Sequence, residues 1–350
     1  MPLAKGRRYN MPECNLSIVV ISKNEEKHIA KCLASVFAEI KDLPATEVIL
    51  VDSRSADRTI EIASKYNIKI AVIDKKHKTT PGLGRLIGTQ LAKGKLIFFI
   101  DGDKVLTSGW LKEALSIINK SETIAGVTGN IEEGVWDRDG DFQLLRVLNY
   151  FNDKYQNGLA IVSSMSGTGL LKKSALETAS GYDPFMPSCE DTDLFLRIEK
   201  NKSVIAWIPN IMCRHTTDTY NMPEIIGKIF SGYYLGLGYY LRKALENKTF
   251  WKSLSPKALP LSYVTWLLLG IFCFCASFLT KSYFIFFLWL IMNFTGLVII
   301  FIKIKQNKKN KRFIPSLTHI FGSSLGLICG FFITPKRIDK GFNYNYTIIK

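Results

Sequence analysis

The chain has 350 residues, with 46 lysine and arginine residues against 30 aspartate and glutamate residues, a formal net charge of +16. Such a charge is typical of nucleic-acid binding, but the sequence has neither paired zinc ligands nor a ribonucleoprotein aromatic motif, so we expect no nucleic-acid partner. The seven cysteines show no paired metal spacing. This pattern indicates reduced thiols in a domain that faces the cytosol.

After a basic tail over residues 1–14, the pattern predicts an α/β domain over residues 15–220. β-branched and apolar runs predict strands at residues 16–21, 47–51, 68–73 and 95–100, with helices between them. Further along, we expect helices at residues 110–118 and 144–155 and strands at residues 125–131, 166–171 and 204–208. Strands that alternate with helices at this spacing predict a Rossmann-like, mostly parallel sheet.

Acidic and small polar residues follow three of these strands at their carboxyl ends, where open parallel sheets bind ligands. They are Ser22, Glu25, Asp52, Ser53, Asp101, Gly102 and Asp103. The two carboxylates of Asp101 and Asp103 suit a Mg²⁺ or Mn²⁺ ion that also holds substrate phosphates. A plain Asp-Gly turn that ends a strand is the alternative interpretation.

Other residues add a candidate base, a candidate phosphate-binding side chain and a further candidate metal ligand. Glu190 and Asp191 open a predicted helix and offer a general base for an acceptor hydroxyl; a favourable helix-dipole charge is the alternative. Asp193 lies close enough in sequence to be mistaken for that base. Arg85 is a candidate for phosphate binding. His215 follows the last predicted strand and is a further candidate metal ligand, with an ordinary surface histidine as the alternative.

No Gly-x-Gly-x-x-Gly or Walker-type motif is present, so neither dinucleotide binding nor P-loop hydrolysis is favoured. Sugar transfer from a nucleotide-diphosphate sugar needs a metal on the leaving group and a carboxylate opposite it, and this sequence offers candidate residues for both. With these residues the chain resembles a family 2 glycosyltransferase with the GT-A fold. The matching motifs lie at residues 20–26, 51–59, 84–94, 101–103, 166–169, 180–183 and 190–191.

The resemblance implies inversion at the anomeric carbon of the sugar. Asp103, helped by Asp101, would hold the metal on the diphosphate, and Asp191 would deprotonate the acceptor, with Glu190 sharing or orienting that role. The other nucleotide-sugar contacts would come from Ser22, Glu25, Asp52, Ser53, Arg85, Asp101 and Gly102. The chain departs from the family at Leu86, where asparagine is frequent. The Gln-x-x-Arg-Trp motif of processive synthases is absent, so we expect non-processive transfer.

The C-terminal third is apolar, and it predicts transmembrane helices after the catalytic domain. Residues 258–280 and 282–302 carry no charge and are long enough to span a bilayer as a hairpin. A basic loop follows at residues 303–312, and the positive-inside rule then predicts an integral membrane protein whose catalytic domain faces the cytoplasm. A third apolar stretch, residues 313–334, either spans the bilayer or is re-entrant.

This organisation gives a juxtamembrane segment at residues 221–255, a membrane region at 256–335 and a basic tail at 336–350. The expected partners are a nucleotide-diphosphate sugar, membrane lipids and a lipid-linked or glycan acceptor, such as a polyprenyl-phosphate-linked glycan of the cell surface. A GT-A-like nucleotidyltransferase and an inactive nucleotide-binding membrane scaffold are the two alternatives. The sequence specifies neither the donor sugar nor the acceptor.

Overall fold

The structure is a computed structural model. It describes residues 15–43, 45–137, 139–149, 151–156, 159–162, 165–217, 222–254, 258–306, 313–336 and 344–350. The predicted N-terminal tail lies outside these residues, as do most of the basic loop and half of the C-terminal tail. The chain divides into two compact units: Met1–Phe185 with Glu190–Thr217 and Arg337–Lys350, and Met186–Cys189 with Asp218–Lys336.

The described part of the first unit contains one twelve-stranded sheet with six helices. The strands are β1 (Leu16–Ser22), β2 (Thr46–Asp52), β3 (Lys69–Ile73), β4 (Leu96–Asp101), β5 (Lys104–Leu106), β6 (Ile124–Trp136), β7 (Phe142–Leu148), β8 (Phe151–Gln156), β9 (Leu159–Val162), β10 (Gly169–Lys172), β11 (Val204–Thr216) and β12 (Tyr346–Ile348). The helices are α1 (Ile29–Ile40), α2 (Thr59–Ala63), α3 (Pro81–Leu91), α4 (Trp110–Ile118), α5 (Lys173–Thr178) and α6 (Glu190–Lys200).

The sheet is mixed, with a parallel part at one side. Its strand order is β12-β3-β2-β1-β4-β10-β6-β11-β9-β8, while β5 pairs with β11 and β7 with β6. β1 is parallel to β2 and β4, and β2 is parallel to β3. β10 runs antiparallel to both β4 and β6, and β6 is parallel to β11. The expected α/β architecture is therefore confirmed, and the carboxyl edge of the parallel part brings together the ends of β1, β2 and β4. The prediction of a mostly parallel sheet is wrong, because seven of the eleven strand pairings among the described residues are antiparallel.

β4 lies in the middle of the core because its apolar run is buried on both faces. Phe98 contacts the ring of Trp110 at the start of α4, with the ring centroids 5.8 Å apart. On the opposite face, Phe99 meets Tyr182 edge-on at 5.3 Å. Consecutive side chains of a strand point to opposite faces, so two layers of helices can pack on this one run. That packing fixes the position of the residues that follow β4.

Three sequence predictions about local structure are wrong. The predicted helix at residues 144–155 is replaced by the strands β7 and β8. β6 extends five residues beyond the predicted end at Ile131, and β11 extends eight residues beyond the predicted end at Ile208, so that His215 lies within a strand rather than after it. The apolar side chains of Leu144, Leu145 and Val147 are exposed on β7 rather than buried on one helical face. The backbone pairings of β7 with β6 and of β8 with β9, which no local periodicity encodes, decide the conformation of this segment.

The described part of the second unit is helical. Its helices are α7 (Met222–Phe230), α8 (Leu235–Glu246), α9 (Phe250–Leu254), α10 (Ala258–Thr280), α11 (Phe284–Gln306) and α12 (Phe313–Phe331). α8 and α12 approach closely because Gly326 and Gly330 face the backbone of Tyr234 and Leu235, where a Cβ atom would clash. The Tyr234 hydroxyl lies 2.8 Å from His319 Nδ1 and links the same two elements.

The structure corrects the predictions about the membrane. A helix that crosses the hydrocarbon core needs about 20 consecutive, predominantly apolar residues. Within the residues that the structure describes, no helix combines the necessary length with the necessary apolar character. On this finding, the prediction of C-terminal transmembrane helices is wrong. The predictions of an integral membrane location and of a cytoplasmic orientation, which were derived from those helices, are wrong as well.

Candidate active site

Asp101, the last residue of β4, is held by two cations. Its Oδ1 atom lies 2.6 Å from Arg85 Nη2, and its Oδ2 atom lies 2.7 Å from Lys104 Nζ. Burial would raise the pKa of Asp101, but the charges of Lys104 and Arg85 hold it well below its usual value. Asp101 is therefore an ionised carboxylate whose two oxygens both accept from the protein. This makes it an anchor for the site rather than the better placed metal ligand.

Arg85, on α3, joins three parts of the first unit. Besides Asp101, its guanidinium donates to Glu190 Oε1 at 2.6 Å and to the carbonyl of Gly167 at 3.1 Å. The residue is only 3% exposed. Burial would lower the pKa of Arg85, but the charges of Asp101 and Glu190 raise it instead. Arg85 thus ties α6 to the end of β4, and its expected contact with a phosphate stays a prediction.

Glu190 and Asp191 begin α6 and differ in their surroundings. Glu190 is buried, and this burial, followed by the charge of Asp191, raises the pKa of Glu190 to about 7. Asp191 is partly exposed, and its Oδ1 atom accepts from the Thr192 amide at 2.7 Å. Among the described residues, no basic side chain forms an ion pair with Asp191. Asp193, by contrast, is buried and pairs with Arg197 at 2.7 Å, and the role of Asp191 as the base stays a prediction.

Asp103 and His215 meet at the same edge of the sheet, as a shared metal site would require. Asp103 Oδ2 lies 3.1 Å from His215 Nε2, and the other ring nitrogen, Nδ1, lies 3.2 Å from Glu133 Oε1. Burial would lower the pKa of His215, but the hydrogen bonds with Asp103 and Glu133 raise it to about 9. Asp103 Oδ1 is buried and has no hydrogen-bond partner in the described residues.

These two residues fit a divalent cation whose coordination is completed by substrate. In the described part of the chain, no group of three or more His, Cys, Asp or Glu side chains could hold a metal by itself. Mg²⁺ and Mn²⁺, however, are often bound by one or two side chains together with substrate phosphates. A buried carboxylate oxygen without a partner is costly, and a cation would satisfy Asp103 Oδ1.

Asp52 closes the loop that joins the ends of β1 and β2. Its side chain is fully buried, and it accepts from Ser22 Oγ at 2.8 Å, from Ser55 Oγ at 2.6 Å and from the Ser55 amide at 2.7 Å. The Ser53 amide donates to the Ser22 carbonyl at 2.8 Å. Ser22, Asp52 and Ser53, three of the four residues predicted to bind the nucleoside near the ends of β1 and β2, therefore lie together. Both carboxylate oxygens of Asp52, however, already accept hydrogen bonds from Ser22 and Ser55. Its contact with a nucleoside stays a prediction.

Glu25, the fourth of these residues, belongs to the carboxylate group around Asp103. Burial, and then the charges of Asp103 and Asp101, raise the pKa of Glu25 to about 8. Gly102 lies beside it: a Cβ atom on this glycine would lie 3.3 Å from Glu25 Cγ. The Gly102 amide also donates to the Ile21 carbonyl at 2.9 Å, which fixes the turn after β4 against the end of β1.

Three residues of this site, Lys104, Thr168 and Glu133, are not among the residues predicted from the sequence. Lys104, whose Nζ atom also donates to Thr168 Oγ1 at 2.7 Å, directly follows the Asp-Gly-Asp motif and could have been considered on that ground. Thr168 lies within the Ser-Gly-Thr-Gly motif. Glu133 has no local signal, because only the pairing of β6 with β11 brings it to His215.

Residues 17–178 match the family described as "Glycosyl transferase family 2". The match supports the prediction of a family 2 glycosyltransferase over these residues, which make up a little under half of the chain. Asp191 and His215 lie beyond the matched residues, so their roles do not follow from the match.

Curated relatives are similar over part of the chain. The poly(ribitol-phosphate) beta-N-acetylglucosaminyltransferase TarS of Staphylococcus aureus is 32% identical over 110 residues, which cover 30% of this chain and 19% of TarS. The glycosyltransferase AglE of Haloferax volcanii is 30% identical over 122 residues, or 33% of this chain and 39% of AglE. The beta-monoglucosyldiacylglycerol synthase of Trichormus variabilis is 23% identical over 198 residues, or 53% of this chain and 42% of the synthase. The chain therefore spans less than half the length of each.

Two solved structures of TarS from S. aureus resemble the chain more distantly. One has a TM-score of 0.48 at 20% identity and covers 66% of this chain and 43% of that chain. The other, TarS 1–349 in complex with UDP-GlcNAc, has a TM-score of 0.46 at 19% identity and covers 66% of this chain and 73% of that chain.

Proposed function

We propose that the protein transfers a sugar from a nucleotide-diphosphate sugar to a hydroxyl acceptor, non-processively and with inversion at the anomeric carbon. One observation carries the proposal. Arg85 binds both Asp101 and Glu190, and so brings the acidic start of α6 to the strand edge where Asp103 and His215 meet. A donor site and a base are then available at one edge of the sheet.

On the donor side, Asp103 and His215 would hold Mg²⁺ or Mn²⁺. The bound cation would supply positive charge that stabilises the departing diphosphate. The nucleoside would contact Ser22, Glu25 and Ser53. Asp52 would hold this loop in place through its hydrogen bonds, and Gly102 lies beside Glu25. Arg85 and Lys104 would add positive charge near the diphosphate while they keep Asp101 in place.

On the acceptor side, Asp191 would remove the hydroxyl proton as the acceptor oxygen attacks the anomeric carbon. The carbon–oxygen bond to the diphosphate breaks in the same displacement, so the proton ends on Asp191 and the nucleotide leaves as its diphosphate. Glu190 would orient the start of α6 through its ion pair with Arg85. This arrangement requires no covalent intermediate, which agrees with inversion.

The relatives narrow the substrates. Their names specify a poly(ribitol-phosphate) acceptor for TarS and a monoglucosyldiacylglycerol product for the synthase, and both of these molecules carry hydroxyl groups. We therefore propose a nucleotide-diphosphate sugar donor and an acceptor in cell-surface glycan synthesis, either a glycan or a lipid-linked glycan such as one on polyprenyl phosphate.

The proposal is tested by a donor-hydrolysis screen on the full-length protein. UDP-, GDP- and dTDP-sugars are incubated with Mn²⁺ or Mg²⁺, with and without glycan or lipid extracts, and release of the nucleoside diphosphate is measured. We expect metal-dependent release that is lost in Asp103→Asn and Asp191→Asn and retained in Asp139→Asn, an exposed control. Release of pyrophosphate would indicate a nucleotidyltransferase. No release from any donor, by a folded protein, would contradict the proposal.

A further inference from the structure

Glu133 is a buried carboxylate that the proposed reaction does not use. Its side chain is only 6% exposed, although it lies near the end of β6. Oε1 lies 3.2 Å from His215 Nδ1, and Oε2 accepts from Arg146 Nε on the neighbouring strand β7. A glutamate at a strand end normally extends into solvent, so the burial of this one calls for a reason beyond solubility.

The register of the sheet creates the contact. β6 and β11 run parallel, and two irregularities in β11, between Ile208 and Cys213, shift the pairing so that His215 stands opposite Glu133. The preceding pair, Arg214 and Glu132, forms its own ion pair at 2.9 Å. Successive residues of a strand alternate between the two faces, so only the Glu133 pair points toward Asp103.

A histidine that binds a metal through one ring nitrogen usually donates the other N–H to a carboxylate, which fixes the tautomer and the ring orientation. Here Glu133 Oε1 accepts a hydrogen bond from His215 Nδ1, and Nε2 is directed to Asp103. Arg146 supplies the opposite charge that keeps Glu133 in place. Arg146 thus contacts Glu133, and Glu133 contacts His215. This is the arrangement in which an outer carboxylate supports a histidine ligand of a metal.

We propose that Glu133 is a positioning residue, which holds His215 so that Nε2 faces a divalent cation at Asp103. The proposal rests on the metal site of the proposed function. Loss of such an outer carboxylate typically weakens metal affinity about 10- to 100-fold. Because Glu133 would touch the histidine and not the metal, its replacement should change affinity for the metal more than the rate at saturating metal.

The test measures Mn²⁺ binding to the full-length protein, alone and with UDP, by electron paramagnetic resonance of the free ion. We expect Glu133→Leu to raise the dissociation constant about 10- to 100-fold. Glu133→Gln, which keeps an oxygen acceptor for Nδ1–H, should raise it less. Glu132→Leu removes the neighbouring ion pair on the other face and should bind Mn²⁺ as the wild type does. Donor hydrolysis by Glu133→Leu should need more Mn²⁺ but recover its rate when Mn²⁺ is saturating.

The outcomes separate the two proposals. If Asp103→Asn loses Mn²⁺ binding while both Glu133 variants keep the wild-type dissociation constant, the positioning role is refuted and the metal site stands. If the wild type binds no Mn²⁺, or Asp103→Asn binds it unchanged, the metal site fails and the positioning role fails with it. Should Glu133→Leu not fold, Glu133→Gln decides, since an unchanged dissociation constant in that variant also refutes the role.

Discussion

Replacement of Arg85 by methionine should show how much the buried ion-pair network contributes to stability. Arg85 is 3% exposed and forms ion pairs with Asp101 and Glu190, each at 2.6 Å. Removing one partner of a buried pair typically costs about 3–5 kcal/mol, because the other charge stays buried without compensation. Asp101 keeps Lys104 as a partner, so most of the cost falls on Glu190.

The loss should depend on pH, and its sign follows from the pKa of Glu190. Burial and Asp191 already raise that pKa from 4.5 to about 7, and the removal of Arg85 raises it further. A carboxyl group whose pKa is higher in the folded state binds its proton more tightly there, so stability falls as the pH rises above the unfolded value. We therefore expect Arg85→Met to lose more stability at pH 8 than at pH 5, where Glu190 is neutral.

The assay is urea unfolding of the full-length protein at both pH values, followed by circular dichroism. Arg85→Met and Arg85→Met with Glu190→Gln are compared with the wild type and with Arg58→Met. Arg58 pairs with Glu61 on the surface, with the two side chains 66% and 53% exposed, so we expect no resolvable change there. The double variant should recover part of the loss at pH 8, because the unpaired charge is gone.

Three results would refute this reasoning. The first is an Arg85→Met protein whose unfolding midpoint equals that of the wild type at pH 8. The second is an equal loss in the single and double variants, since it would mean that the guanidinium stabilises the fold through packing or through Gly167 alone. The third is a loss that is larger at pH 5 than at pH 8, which would contradict the assigned role of Glu190.

Three further predictions concern the base, the pH profile and the core. Asp191→Asn should lower the rate of sugar transfer about 10²- to 10⁴-fold with little change in donor affinity, whereas Asp193→Asn should lower the unfolding midpoint through its ion pair; steady-state kinetics and thermal unfolding compare them. Glu190→Gln should flatten the fall in stability between pH 5 and 8, as measured by urea unfolding, and an unchanged slope would count against the raised pKa of this group. Gly88→Ala places a methyl group against Val19 and should cost about 1–3 kcal/mol in urea unfolding; an unchanged midpoint would show that the core yields there.

Local patterns predicted the parallel part of the sheet well. β1, β2, β3 and β4 each begin and end within one residue of the predicted bounds, and α4 matches them fully. β-branched and apolar runs buried on two faces leave little choice of conformation, so propensity and packing agree. The same logic failed at residues 144–155, where exposed apolar side chains produce no decisive period.

The sequence by itself determined which polar residues follow parallel strands, and therefore that Ser22, Asp52, Asp101 and Asp103 share one edge of the sheet. Strand ends are local features, and parallel pairing brings them to the same side. Only the tertiary structure decided which partners each of these side chains has. Asp101 is bound by Arg85 and Lys104, while Asp103 keeps one oxygen without a partner in the described residues.

The partners in these contacts are far apart along the chain. Arg85 reaches Glu190 across 105 positions, and His215 reaches Glu133 across 82. Such pairs depend on the order and register of strands, including the irregularities of β11, and a residue-by-residue pattern carries no record of them. Composition and periodicity could identify these carboxylates, but only the ion pairs of the folded protein show which of them are already bound by protein side chains.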